Sequence, residues 1–191
     1  MIIVFGGSFN PPTKAHVDII KHLLSLFDDS KVIVVPVGDD YRKPELISFE
    51  DRLEMLKLAL DQIPNVMISE IESNRGYEGT LKTLDDLSET YHDVHFVIGS
   101  DNLHELSTWI RYQELLSKYP FIVMNRKGYM TEEDANKLYK DLPHRFIFVD
   151  FDHEIASSTI RKNTHKNKHL IDPKVYQYIK DHKLYKEKKD V

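Results

Sequence analysis

Ile2-Ile3-Val4-Phe5-Gly6-Gly7-Ser8-Phe9-Asn10-Pro11-Pro12 begins with a short apolar run and ends in a glycine pair and a proline pair. Branched and aromatic side chains follow one another there without polar alternation. A strand buried on both faces, as in a parallel sheet, reads this way. Gly6 to Pro12 reads as a turn. Beyond it Ile19, Ile20, Leu23, Leu24 and Phe27 recur at spacings of three and four, which places them on one face of a helix that ends at Asp28-Asp29-Ser30.

The same alternation runs down the chain. Further strands are expected at 32–37, 66–71, 94–98, 121–124 and 146–149. Ser48-Phe49-Glu50-Asp51 reads as an N-cap with an acid at the third helical position, and Leu53, Leu56, Ala59, Leu60 and Ile63 continue that helix to Pro64. Leu81, Leu84 and Leu87 mark another helix. Thr131-Glu132-Glu133-Asp134 repeats the capping signature. Asp172-Pro173 starts a last helix carrying Val175, Tyr178 and Ile179. Strands alternating with helices imply an α/β fold with a doubly wound parallel sheet in a single domain. Residues 1–150 supply the main sheet and helices, 151–185 a C-terminal helical segment, and 186–191 a frayed tail. Ligands in such folds bind beyond the carboxyl ends of the strands, where the strand order reverses. If the first and fourth strands meet there, the turns at 6–12 and 99–101 face one crevice.

Bulk composition narrows the function classes. The 191 residues carry 26 basic and 31 acidic side chains, a net charge of −5, so no nucleic-acid surface is expected. Cysteine is absent, which excludes disulfides, thiolate catalysis and Cys-based zinc sites. The N-terminus lacks the basic region of a signal peptide, and no apolar stretch approaches the length of a membrane span. The expected location is the cytoplasm.

Two segments carry chemistry. In the first, Gly6 and Gly7 let the backbone turn sharply after a buried strand and approach a ligand closely. Taken alone, a glycine pair needs no more than a tight turn. The pattern is neither a Walker A loop nor G-x-G-x-x-G. His16 lies three and four residues before Ile19 and Ile20, so its ring stands at the buried edge of the first helical turn. A histidine there is often just satisfied by a carbonyl; beside the glycine turn and Thr13 it becomes a candidate catalytic group. In the second segment, Ile155-Ala156-Ser157-Ser158-Thr159-Ile160-Arg161, three hydroxyl residues precede a helical start. They can cap free N–H groups or donate to phosphate, and Arg161 one turn later can clamp a polyphosphate. The bland alternative is a plain N-cap with a surface arginine.

Together the segments resemble the G-G-S/T-F-N/D-P…H/T-x-G-H and I-S-S-T-x-I-R signatures of the nucleotidyltransferase superfamily, whose fold is Rossmann-like. Ile98-Gly99-Ser100-Asp101 with Leu106, Trp109 and Leu115-Leu116, then Arg126-Lys127-Gly128-Tyr129, and finally Val175, Tyr178-Ile179 and Leu184-Tyr185 resemble the bacterial nicotinate-nucleotide adenylyltransferases over nearly the whole chain. The resemblance implies in-line attack by the phosphate of nicotinate mononucleotide on the α-phosphate of ATP, with pyrophosphate leaving. It implies ATP contacts from Gly6, Gly7, Ser8, Phe9, Gly99 and Asp101, the last to a ribose hydroxyl. His16 would donate to the α-phosphate and Thr13 would add a weaker bond. Lys43, with Arg42 beside it, would meet the phosphates, and Ser157, Ser158 and Arg161 would hold the β- and γ-phosphates. Asn10, Thr80, Thr83, Trp109 and Arg126 would serve the acceptor, Trp109 by stacking on the pyridine and Arg126 by meeting the phosphate. Mg2+ would arrive with the triphosphate rather than in a protein-built site.

The chain also departs from that pattern. Ala15 stands in place of a glycine and narrows the space near the phosphates. Ala156 and Ser158 replace Ser and Thr, Gly79 replaces a tyrosine, and Ile110 stands where an aromatic is common. The last two touch the pyridine pocket, so nicotinamide mononucleotide or another acceptor stays open, as does a nucleotide sensor without turnover. Trp109 also reads as core packing. His165 and His169 read as an exposed loop, one of His92 and His95 should point outward, and Asp150, Asp152 and His153 read as the approach to the Ser157 cap. A homo-oligomer is compatible with all of this.

Overall fold

Six strands form one sheet in the order β3-β2-β1-β4-β5-β6, with every neighbouring pair parallel. The strands are β1 (Ile2–Gly7), β2 (Lys31–Pro36), β3 (Val66–Ile68), β4 (Val94–Gly99), β5 (Phe121–Asn125) and β6 (Phe146–Asp150). The structure is a computed structural model and describes residues 1–41, 43–151 and 157–185. The doubly wound parallel sheet read from the sequence is the fold. The strand order reverses between β1 and β4, so the adjacency that the sequence left conditional exists. Ile2 pairs with Val94 and Val4 with Phe96.

Period-two alternation sends the two faces of each strand into two cores. Ile3 and Phe5 of β1, with Val32, Val34, Val97 and Ile122, pack under α1 (Lys14–Leu26) and α2 (Phe49–Leu60). Val4, Ile33, Phe96, Phe121 and Val123 pack on the other face against α4 (Thr80–Ser88), α5 (Tyr112–Lys118) and α6 (Glu132–Leu138). A smaller apolar cluster joins Met55 of α2 to Ile160 of α7 (Ser157–Lys162) and to Val175 and Ile179 of α8 (Pro173–Asp181). It anchors the C-terminal helices beside the sheet.

The expected strand 66–71 stops at Ile68. Ser69 makes one more sheet bond, its N–H donating to Val34 O at 2.9 Å. Its hydroxyl then accepts the Ile71 N–H at 3.4 Å, and the chain turns into a short helix, α3 (Ile71–Arg75). A serine beside its own backbone competes with the ladder in this way. Ser157 and Ser158 also differ from expectation, because they form the first turn of α7 rather than precede it. Arg42, Asp152, His153, Ala156 and the 186–191 tail lie outside the described residues.

Candidate active site

The loops after β1 and β4 meet at the reversal of strand order and wall a cleft of about 700 Å³. Gly6, Gly7, Ser8, His16, Lys43, Thr80, Thr83, Gly99, Asp101, Trp109 and Arg126 all line it. Residues remote in sequence are therefore gathered at the place where α/β sheets bind ligands. Gly7 is needed for close approach, since a Cβ there would come within 3.2 Å of the Phe9 ring.

His16 is the third residue of α1 and is 7% exposed. Thr13 caps the helix. Its Oγ1 accepts the His16 N–H at 3.3 Å, while its own backbone N–H donates to His16 Nδ1 at 2.9 Å. The imidazole thus takes the reciprocal place that Glu or Gln holds in a capping box. A nitrogen that accepts an N–H carries no proton, so the neutral ring is protonated on Nε2. Burial first, then the fields of Arg126 and Lys43, brings the His16 pKa down to about 3. The ring is therefore a neutral N–H donor at the cleft, not a cation. Thr13 itself does not line the cleft. Its hydroxyl is 3.0 Å from His16 Nδ1, a contact that orients the ring.

Lys43 reaches across from the β2–α2 loop and donates to Ser8 Oγ at 2.9 Å. Burial and the nearby Arg161 lower its pKa. Arg52 of α2, with no exposed surface, was not foreseen as part of the site. Its guanidinium donates to Ser8 O at 3.1 Å, Ile47 O at 3.0 Å and Asp39 Oδ1 at 3.1 Å. One buried cation so ties the glycine turn to both ends of the loop that carries Lys43. A signal existed, because Arg52 is one turn before Leu56 on the apolar side of its helix.

Four residues expected at a substrate act as struts. Phe9 is 2% exposed, packs edge-on to His16 with ring centroids 5.0 Å apart, and does not line the cleft. Asn10 is 1% exposed and spends its amide within the protein. Its Nδ2 donates to Glu45 O at 2.8 Å and its Oδ1 accepts the Tyr185 hydroxyl at 2.7 Å. Ser157 donates to Pro11 O at 2.9 Å, and Arg161 donates to Asn10 O at 2.8 Å. Asn10, Ser157 and Arg161 lie outside the cleft lining and brace the loop that forms it; Ser158 is exposed. Ala15, the second residue of α1, is not among the residues lining the cleft.

At the other end Trp109 lines the cleft and packs edge-on against Phe96 at 6.1 Å between centroids. It is core packing and cleft wall together. Arg126 Nη1 donates to Asp101 Oδ2 at 2.9 Å, so two residues expected to meet different parts of the substrates meet each other. Asp101 Oδ1 is buried without a hydrogen-bond partner and presses on the Cα side of Gly99, where a Cβ would collide with it. Thr83 lines the cleft but is 4% exposed, and its hydroxyl donates to Glu72 Oε1 at 2.7 Å. Thr80 opens α4, whose first turn has no side-chain cap and no acidic residue.

Of the features set aside earlier, His92, His165 and His169 are exposed, and His95 is buried at 7%. Among the described residues no three His, Asp or Glu side chains converge as a metal cluster would. Nor is any helix among them long and apolar enough to cross a membrane.

Residues 4–163 match the cytidylyltransferase-like family. A probable nicotinate-nucleotide adenylyltransferase of Acholeplasma laidlawii is 38% identical over 99% of this chain and 100% of its own length. One from Caldicellulosiruptor saccharolyticus is 32% identical over 97% of this chain and 99% of its own. Among solved structures, the nicotinic acid mononucleotide adenylyltransferase of Plasmodium falciparum complexed with NaAD superposes with a TM-score of 0.78 at 24% identity. It covers 96% of both chains.

Proposed function

The chain belongs to the cytidylyltransferase-like family and within it to the nicotinate-nucleotide adenylyltransferases, and we propose that it transfers AMP from ATP to nicotinate mononucleotide, giving deamido-NAD and pyrophosphate. The observation that carries this reading is the neutral His16 ring, with its proton on Nε2, at a cleft that also holds Lys43 and the Gly6-Gly7 turn.

A phosphate oxygen of the acceptor forms the new bond to the α-phosphorus, and the bond to the pyrophosphate oxygen breaks. The nucleophile is already an anion, so no general base is needed, and catalysis is positioning and charge stabilisation. His16 Nε2–H donates to the α-phosphate oxygen as charge builds. Its depressed pKa keeps it a donor without the cost of charging a buried ring. Lys43 leaves Ser8 to meet the β- and γ-phosphates, and backbone N–H groups of the glycine turn approach them. The Asp101 carboxylate, at the cleft wall, accepts a ribose hydroxyl. Arg126 meets the acceptor phosphate, Trp109 stacks on the pyridine, and the uncapped start of α4 at Thr80 favours a carboxylate on that ring. Mg2+ arriving with the triphosphate would supply neutralising charge to the leaving pyrophosphate. The absence of cysteine suits work in the cytoplasm.

The test is pyrophosphate release from ATP and Mg2+ with nicotinate mononucleotide, nicotinamide mononucleotide or phosphopantetheine at equal concentration. A strong preference for the first supports the proposal. Preference for another acceptor reassigns the substrate, and a folded protein that releases none is a sensor.

A further inference from the structure

Two departures from the family pattern that are separate in sequence are one contact in space. Gly79 has φ +96°, and a Cβ built on it would lie 3.0 Å from Ile110 Cβ. Ile110 thus fills the position beside residue 79, and the backbone there refuses an L side chain. No side chain from residue 79 can form the cleft wall.

Tyr77 forms it instead. Its ring lines the cleft together with Tyr41, Thr80, Trp109 and Ile110. Two separate ties hold it. Its backbone N–H donates to Asp40 Oδ2 at 2.8 Å. Its ring meets Tyr41 edge-on, with centroids 4.9 Å apart at 88°. As a cleft-lining phenol, Tyr77 carries an O–H that can donate to a ligand. Burial raises the Tyr77 pKa, so it stays protonated.

We propose that Tyr77 is a specificity-determining residue of the acceptor end, its ring supplying the wall that residue 79 cannot and its O–H reading the substituent of the pyridine. This rests on the reading of the cleft as a pyridine-mononucleotide site. A phenol donor favours a carboxylate over a carboxamide, because a hydrogen bond to a charged acceptor is the stronger. The grip also reaches the phosphate end, since Asp40 and Tyr41 belong to the same loop as Lys43.

The experiment compares kcat/KM for nicotinate and nicotinamide mononucleotides in the wild type and in Tyr77→Phe and Tyr77→Ala. The two acceptors share ribose and phosphate, so their ratio isolates the ring substituent. Trp109, the sole tryptophan, reports acceptor binding by fluorescence independently of turnover. Tyr77→Phe should lower the nicotinate-to-nicotinamide ratio about tenfold, the worth of one hydrogen bond to a charged group. The ATP KM should hardly move. Tyr77→Ala should in addition raise the acceptor KM and weaken the fluorescence change. An unchanged ratio in an active Tyr77→Phe variant, or equal shifts of both KM values in Tyr77→Ala, overturns the inference and leaves Tyr77 as loop packing. A wild type that adenylylates neither mononucleotide overturns the functional reading itself, and the inference falls with it.

Discussion

The backbone N–H of Thr13 donates to Nδ1 of His16 at 2.9 Å, and that bond decides which nitrogen of the ring is left to meet a substrate. Ring ¹⁵N spectra should show the neutral Nε2–H tautomer, with no titration between about pH 8 and about pH 5. A ring that protonates near the ordinary value of 6.5 contradicts the pKa of about 3. The sign for stability follows. The folded-state pKa lies below the unfolded one, so the neutral ring's contribution is complete above about 6.5 and is lost as pH falls toward about 3. In denaturation at stepped pH, His16→Gln should lose less stability over that window than the wild type.

His16→Ala should cut kcat about a hundredfold or more while the ATP KM changes little, as when one transition-state donor is removed. Steady-state kinetics checks this, and an unchanged kcat removes His16 from the mechanism.

Trp109→Ala should raise the KM for the mononucleotide far more than that for ATP. The ring also packs on Phe96, so some loss of thermal stability comes with it. Equal effects on the two KM values would make Trp109 a core residue that merely borders the cleft.

Arg52→Ala should cost about 3 kcal/mol or more, because the carbonyls of Ser8 and Ile47 lose their donor in a buried place. Arg52→Lys should fold, yet with a lowered Tm, since an ammonium cannot reproduce the planar fork. Its ATP KM should rise, because Ser8 and the Lys43 loop lose a shared anchor. A lysine variant with wild-type Tm and KM would show that the fork is dispensable.

The sheet was legible because its strands are buried on both faces. Val32 to Val35 and Phe121 to Val123 are nearly unbroken apolar runs, and a buried parallel strand leaves no other pattern. The end of the third strand was not legible, because Ile71 looks like a strand residue and only the Ser69 bond to its N–H turns the chain. Helix α5 escaped because it is short and has just two buried residues, Leu115 and Leu116. At the site, the glycine turn, His16, Lys43 and Trp109 were legible from motif, and the structure gathers them around one cleft. A motif does not say which of its residues face the ligand. Phe9, Asn10, Thr13 and Ser157 belong to it and hold the loop or the ring. Arg52 belongs to no motif, and its bond to Ser8 spans 44 positions, a pairing that local pattern does not carry.

The hydrogen bond from Tyr185 to Asn10 joins positions 175 apart. During synthesis the glycine turn leaves the ribosome long before this buttress does. A nascent chain can lay down β1 and its neighbours early, but Asn10 Oδ1 waits for its donor until all six strands and α8 have been added. The full bracing of the glycine turn is thereby tied to synthesis through Tyr185, and a chain cut short before it would keep its sheet yet hold a slack turn.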